Sequence, residues 1–393
     1  MSLPIRSLFA SLALLGGCRV WLTADDLRDG TLGSCVDGHH SIAARYEACV
    51  PDDWNGDLVV WAHGYQSRWH EPEPLVHDDE LAKGLPVSEV AMGLGYGWAT
   101  TSYSSSGFAA AEAVDDLEDV VRVFEEAFGR AGRVYVAGGS EGGLAGTLAL
   151  ERPGTPFDGG LLACAPSGSL RKQFDYVGDV RVLFDHLFPG VLPGDALDVP
   201  PELLAAWDTH YADAVRAALR ADREAFRDLV KAAGVPSHAL SEQAVIEAVV
   251  GVLWYHVFGT GDLVERLGGS PYDNIGRTYA GTRDDLALNR AVARHAADPE
   301  ALERLAALET TGALQREAVQ IHSRADAIVP YWHLAGYRAK VVEADRADLH
   351  ARQTSPLYGH CSFAVPEVLA AFGRLVWEVE GVELVIPEGF PGR

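Results

Sequence analysis

Lysine is nearly missing from this chain: Lys83, Lys172, Lys231 and Lys340 are the only four in 393 residues. Basic residues number 32 against 56 acidic ones, giving a formal net charge of −24. A surface of that sign repels nucleic acid and anionic membranes and disfavours polyanionic substrates, so the composition suits a soluble enzyme without a nucleic-acid partner. Internal repeats, heptad runs and low-complexity tracts are absent as well. No dinucleotide fingerprint or phosphate loop follows a strand-like run, so no cofactor is expected. His39, His40, His322 and Asp326 lack the spacing and ligand count of a zinc site, so no metal is expected either.

Long hydrophobic runs are also scarce. Residues 8–15 form an apolar stretch behind Arg6 that is too short to span a membrane as a helix, which is the pattern of a targeting leader. Leu15-Gly16-Gly17-Cys18 resembles a bacterial lipoprotein processing site. On that reading residues 1–17 are a signal peptide and Cys18 is the lipidated first residue of an exported protein, whose only membrane attachment is the lipid. The alternatives are an ordinary secretory signal, giving a freely secreted protein, or the N-terminal helix of a cytoplasmic one.

Cysteine is sparse, with five residues. Setting Cys18 aside leaves an even number, as expected in an oxidising compartment. Cys35 with Cys49 is the expected disulfide. Cys164 and Cys361 either pair or remain two separate buried thiols.

Glycine, by contrast, is plentiful, and its most informative use is Gly138-Gly139-Ser140-Glu141-Gly142-Gly143. The apolar run 134–137 precedes it and the helix-like run 144–150 follows. A serine at the tip of a strand-to-helix turn has strained backbone angles, and glycines two residues to either side let neighbouring backbone pass without Cβ clashes. The turn exposes the hydroxyl beside helix N-terminal amides. Ser140 is therefore the candidate nucleophile.

A serine nucleophile needs a base, and the base needs an orienting acid. Residues 318–323 read as a buried strand followed by a loop carrying Asp326, the candidate acid. Residues 348–353 read as a last strand, followed by Tyr358-Gly359-His360-Cys361 and a helix beginning near Pro366, which makes His360 the candidate base. The early strand 57–62 runs into His63-Gly64-Tyr65. The Tyr65 and Glu141 amides are the candidate oxyanion hole, and His63 is read as a residue that orders its loop.

In these residues the chain resembles the α/β-hydrolase superfamily, specifically capped serine hydrolases of the bacterial secreted type, from about residue 42 to the C-terminal helix. Phrases such as Trp98-Ala99-Thr100-Thr101-Ser102-Tyr103 and Gly359-His360-Cys361 add to the likeness. The resemblance implies an α/β-hydrolase fold with a mostly parallel eight-stranded sheet, and acyl transfer through a covalent acyl-enzyme. Haloalkane dehalogenases and epoxide hydrolases of this superfamily carry Asp where Ser140 stands. Tannase and feruloyl esterase relatives join a Cys before the nucleophile to one after the His. Here Cys361 follows His360 but Gly139 precedes Ser140.

Between residues 169 and 312 the strand pattern gives way to helix-like segments at 201–218, 222–233, 241–257 and 299–308, separated by Pro and Gly turns. These form a helical cap inserted before the acid-bearing strand. Residues 18–168 and 313–393 make the two parts of the catalytic domain. Trp207, Tyr211, Trp254, Tyr255 and Phe258 are either pocket lining or cap core. The expected function is a carboxylic ester hydrolase with a Ser140–His360–Asp326 triad, acting on a small-molecule substrate. The alternative is a serine aminopeptidase, which requires a cap carboxylate near Ser140 to bind a free amine.

Overall fold

The computed structural model describes residues 33–40, 44–69, 80–82, 85–238, 240–387 and 390. The leader, residues 1–17, and Cys18 lie outside the described residues.

Eight strands form one sheet: β1 (Gly33–His39), β2 (Arg45–Pro51), β3 (Leu58–Ala62), β4 (Gly97–Thr101), β5 (Val134–Gly139), β6 (Gly159–Ala163), β7 (Glu317–Ala325) and β8 (His350–Tyr358). Their spatial order is β1-β2-β4-β3-β5-β6-β7-β8. Within this sheet β2 pairs antiparallel with β1 and β4, and the other ladders are parallel. Every residue of β3, β4, β5 and β6 is buried. Parallel strands covered on both faces read as continuous apolar runs for this reason.

Helices α1 (Val87–Gly93), α2 (Ala110–Phe128) and α3 (Glu141–Glu151) follow β-strands of the first half. α2 turns Val114, Leu117, Val121 and Phe124 toward one sheet face. The last helix, Val365–Glu380, turns Val368, Leu369, Phe372, Leu375 and Val376 toward the other. Two apolar cores therefore sandwich the sheet. Full burial of each aliphatic or aromatic side chain contributes roughly 1.5–3 kcal/mol.

Between β6 and β7 the chain is helical among its described residues. The segment begins with α4 (Leu170–Leu187), which is capped by the Ser169 hydroxyl. It continues through α5 (Pro201–Ala206), α6 (Ala212–Ala221), α7 (Arg223–Ala233), α8 (Glu242–Tyr255), α9 (Gly261–Leu267), α10 (Asp285–Ala291) and α11 (Pro299–Ala306). The segment expected as one helix at 201–218 is interrupted by a wide π-turn at Trp207–Tyr211. A second π-turn, His256–Thr260, follows α8. A π-turn adds a single residue, and one added residue is easily lost in an apolar stripe whose spacing already alternates between three and four. The segment has its own core around Val180, Phe184, Trp207, Leu229, Val249 and Phe258.

The four cysteines among the described residues form two disulfides, Cys35–Cys49 and Cys164–Cys361. The first joins residues directly opposite one another on β1 and β2. The second connects the end of β6 to the residue after His360.

Candidate active site

Ser140 stands between β5 and α3 with φ 56° and ψ −119°, a sparsely populated conformation for a residue with a side chain. Its backbone is fixed on both sides: its N–H donates to the Ala163 carbonyl on β6, and its carbonyl accepts from Leu144 N–H. The flanking glycines are required by contact. A Cβ at Gly142 would lie 2.0 Å from the carbonyl oxygen of Ala62, and one at Gly138 would lie 2.4 Å from that of Gly142. The sharp turn thus exists because β3, β5 and α3 meet where only glycine fits.

The other two candidates converge on this serine from the ends of β7 and β8. The Ser140 hydroxyl donates to His360 Nε2 at 2.8 Å, and His360 Nδ1 donates to Asp326 Oδ2 at 2.8 Å. Asp326 is fully buried. Its other carboxyl oxygen accepts from the backbone N–H groups of Ile328 and Val329 at 2.9 and 3.0 Å. A carboxylate held by three donors fixes the imidazole tautomer with Nε2 free to receive the serine proton.

The loop of the candidate acid is held by α4 in a way the sequence did not reveal. Gln173 donates to the Ile328 carbonyl, and Tyr176 donates to the Ala327 carbonyl. Gln173 is in turn oriented by His333, whose Nδ1 accepts from Gly168 N–H. His322 donates to the Val329 carbonyl, and burial lowers its pKa, so this imidazole is neutral beside Asp326. A helix-spaced Gln and Tyr in an otherwise amphipathic segment carries no local sign of this contact.

Gly64 packs against the elbow. A Cβ there would make ordinary contacts of 3.6 Å with Ser140 Cβ and the Gly139 oxygen. His63 stacks on Tyr103, 3.9 Å between centroids, and the Tyr103 hydroxyl donates to the His63 carbonyl. Burial pushes the His63 pKa down to about 4, so the ring is neutral and braces the loop. Tyr65 follows, and its hydroxyl donates to Asp262, which also pairs with Arg68 at 2.7 Å. Glu141 is the first residue of α3, where backbone N–H groups have no acceptor within the helix.

Ser140, Tyr65 and Glu141 line one cavity of about 60 Å³, together with Phe108, Phe174, Val177, Tyr255 and Ile328 among others. Of the five aromatic candidates from the helical segment, Tyr255 lines it, with its ring centroid 6.3 Å from that of His360. Trp254 packs edge-on against Tyr65, while Trp207 and Phe258 are buried in the helical core and Tyr211 packs on that core. Phe108, Phe174 and Ile328 were missed, because their place at the cavity depends on chain crossings far apart in sequence. Cys164, His360 and Cys361 bring ligand-type atoms together, but the two sulfurs form a disulfide and offer no thiolate.

A mostly parallel eight-stranded sheet in this order, with a strained serine after β5 and an acid and a histidine after β7 and β8, is one recognisable architecture. The fold is that of the α/β-hydrolases. Among solved structures, the chain is similar to Candida antarctica lipase A, at 12% identity over 94% of this chain and 82% of the other, with a TM-score of 0.48. It is also similar to feruloyl esterase B from Aspergillus oryzae, at 16% identity over 90% and 82%, with a TM-score of 0.47. An esterase from Pyrococcus furiosus matches at 13% identity over 93% and 97%, with a TM-score of 0.45. No family model matches the chain, and no curated protein matches it.

Proposed function

We propose that this α/β-hydrolase is a serine hydrolase of carboxylic esters. The observation that carries the reading is the unbroken chain of short hydrogen bonds from Ser140 through His360 to Asp326. His360 takes the Ser140 proton as the oxygen attacks the ester carbonyl, and the Tyr65 and Glu141 amides stabilise the oxyanion. Each such donor is worth on the order of 3 kcal/mol. Asp326 stabilises the imidazolium, which then protonates the leaving alcohol. Water, activated by the same imidazole, releases the acid and restores the serine. Residues 169–312 act as a cap over a catalytic domain made of residues 18–168 and 313–393.

The aminopeptidase alternative asks for an ionised carboxylate at the cavity to receive a free amine. Glu141 is the one acid among the described lining residues, and burial pushes its pKa up to about 8. A neutral carboxyl at pH 7 is a poor receptor for an ammonium group, which favours the ester reading. Two disulfides suit an exported protein, and export with a lipid on Cys18 is part of the proposal. Loss of acyl labelling in a Cys18→Ala variant expressed in bacteria tests that part.

The test of the reaction is turnover of p-nitrophenyl esters of graded chain length beside aminoacyl p-nitroanilides, with wild type compared against Ser140→Ala. Ester turnover that vanishes in the variant is expected. Turnover of the anilides alone would overturn the reading in favour of the peptidase.

A further inference from the structure

Two side chains at the cavity carry an oxygen that the protein itself does not satisfy. Glu141 is 4% exposed and accepts from the Ala109 backbone N–H through Oε1, while its Oε2 has no hydrogen-bond partner among the described residues. Thr260 is also 4% exposed, and its Oγ1 has no partner among the described residues. Both residues line the same space as Ser140. The remaining walls are mainly apolar, from Phe108, Phe174, Val177 and Ile328.

Buried polar atoms are nearly always paired, and two exceptions beside one candidate nucleophile call for a common explanation. Thr260 is informative because a helical threonine ordinarily satisfies itself by bonding the carbonyl four residues back. Thr147 on α3 does so, donating to the Gly143 carbonyl at 2.6 Å. Thr260 closes the π-turn His256–Thr260, and its hydroxyl makes no such bond. The turn brings both Gly259 and Thr260 to the cavity wall. Single π-turns within helices recur at functional sites because they re-aim side chains in this manner.

We propose that Glu141 and Thr260 form a polar subsite that receives a hydroxyl on the acyl part of the substrate, so that the preferred substrates are esters of short hydroxy acids. The inference rests on the ester reading above. A hydroxyl both donates and accepts, which matches a neutral carboxyl paired with an alcohol. Burial favours that neutral form of Glu141. An ammonium substituent only donates and asks for a carboxylate. A purely apolar acyl chain leaves both oxygens desolvated and unpaired, and a site built around such groups discriminates strongly against the analogue that lacks the partner.

The test compares kcat/KM for p-nitrophenyl butyrate with those for the 2-hydroxy-, 3-hydroxy- and 3-aminobutyrate esters, taken as ratios within each enzyme form. Wild type is expected to prefer one hydroxy ester over butyrate by at least about tenfold. Thr260→Val keeps the shape and removes the hydroxyl, and should bring that ratio down about tenfold, with Thr260→Ser restoring most of it. Thermal melting of each variant confirms that it folds. A wild-type ratio near one, a ratio unmoved by Thr260→Val, or a preference for the amino ester would overturn the subsite. Failure to hydrolyse even p-nitrophenyl acetate would instead overturn the ester reading. The subsite is then read by binding of the free acids, using the rise in melting temperature. A larger rise with hydroxybutyrate that Thr260→Val abolishes supports it, and equal rises with butyrate and hydroxybutyrate overturn it.

Discussion

Cys361, the residue after His360, is bonded to Cys164, the residue after the last position of β6. β6 lies beside β5, with Ala163 opposite Gly139, and Gly139 immediately precedes Ser140. The bridge therefore ties the loop of the candidate base to the strand next to the candidate nucleophile. A cysteine before the nucleophile would tie the same loop from the adjacent strand, and here that position is Gly139. Both bridged cysteines have φ 46°, a left-handed conformation unfavourable for residues with a Cβ. The surrounding structure imposes it.

The first prediction follows from that tether. A Cys164→Ala/Cys361→Ala double variant keeps the triad side chains but frees the His360 loop to drift. Small misplacements of reacting groups are expensive, about 100-fold for 1 Å. The expected outcome is a fall in kcat of about 10- to 100-fold with KM changed much less, measured by steady-state kinetics on the best p-nitrophenyl ester. Undiminished kcat would show that the Asp326 hydrogen bond alone holds the ring.

The three residues that meet at Ser140 were legible in the sequence because each candidate sits at the end of a strand. Ser140 has glycines where β3 crowds the elbow, Asp326 follows the mostly buried strand β7, and His360 follows the more polar last strand β8. The cavity was not legible. Glu141 and Thr260 are 119 positions apart, and Thr260 reaches the wall through a π-turn that leaves no mark in the hydrophobic pattern. α4, which holds the acid loop through Gln173 and Tyr176, was likewise absent from the expected helices. Its buried face includes Tyr176, Gly178 and Arg181 among the aliphatics, which blurs the period.

The second prediction concerns Tyr65, whose hydroxyl joins the loop after β3 to Asp262 on α9. Tyr65→Phe keeps the backbone amide and removes this link, leaving Asp262 paired with Arg68. Loss of one hydrogen bond to a charged partner costs about 1.5–3 kcal/mol, so the denaturation midpoint should fall accordingly. The loop of the candidate oxyanion donor also loses its anchor to the helical segment, and kcat should drop by less than the disulfide variant loses. An unchanged midpoint would show that the link contributes nothing net.

The third prediction is acid sensitivity from neutral buried histidines. Burial lowers the pKa of His63 to about 4, and those of His256 and His350 to about 3. The unfolded chain protonates these rings near 6.5, while the folded protein resists until lower pH. The unfolded state thus binds more protons, and the stability these groups support above pH 6.5 is lost as pH falls toward 3. Urea midpoints measured from pH 7 to pH 4 should decline. His63→Phe should flatten its share of that slope, since a ring that cannot ionise can still stack on Tyr103.

Glu141 acts in the opposite direction, and the last prediction separates it from the histidines. Its pKa is raised to about 8, mainly by burial, from the ordinary glutamate value near 4.5. The folded state therefore holds this proton more tightly than the unfolded state. The stability contribution is full below about pH 4.5 and disappears as pH rises through about 8. Wild-type stability consequently sums a histidine term that rises with pH and a Glu141 term that falls, and a single profile cannot apportion them. Glu141→Gln removes the ionisation while retaining a polar group of the same size. The difference in stability between this variant and wild type should move in favour of the variant as pH increases from 4.5 to 8, by on the order of a few kcal/mol. A difference that stays constant across that window would mean that Glu141 is ionised in the folded protein at neutral pH. It would then return a carboxylate to the cavity, where a substrate amine, rather than a hydroxyl, is the matching group.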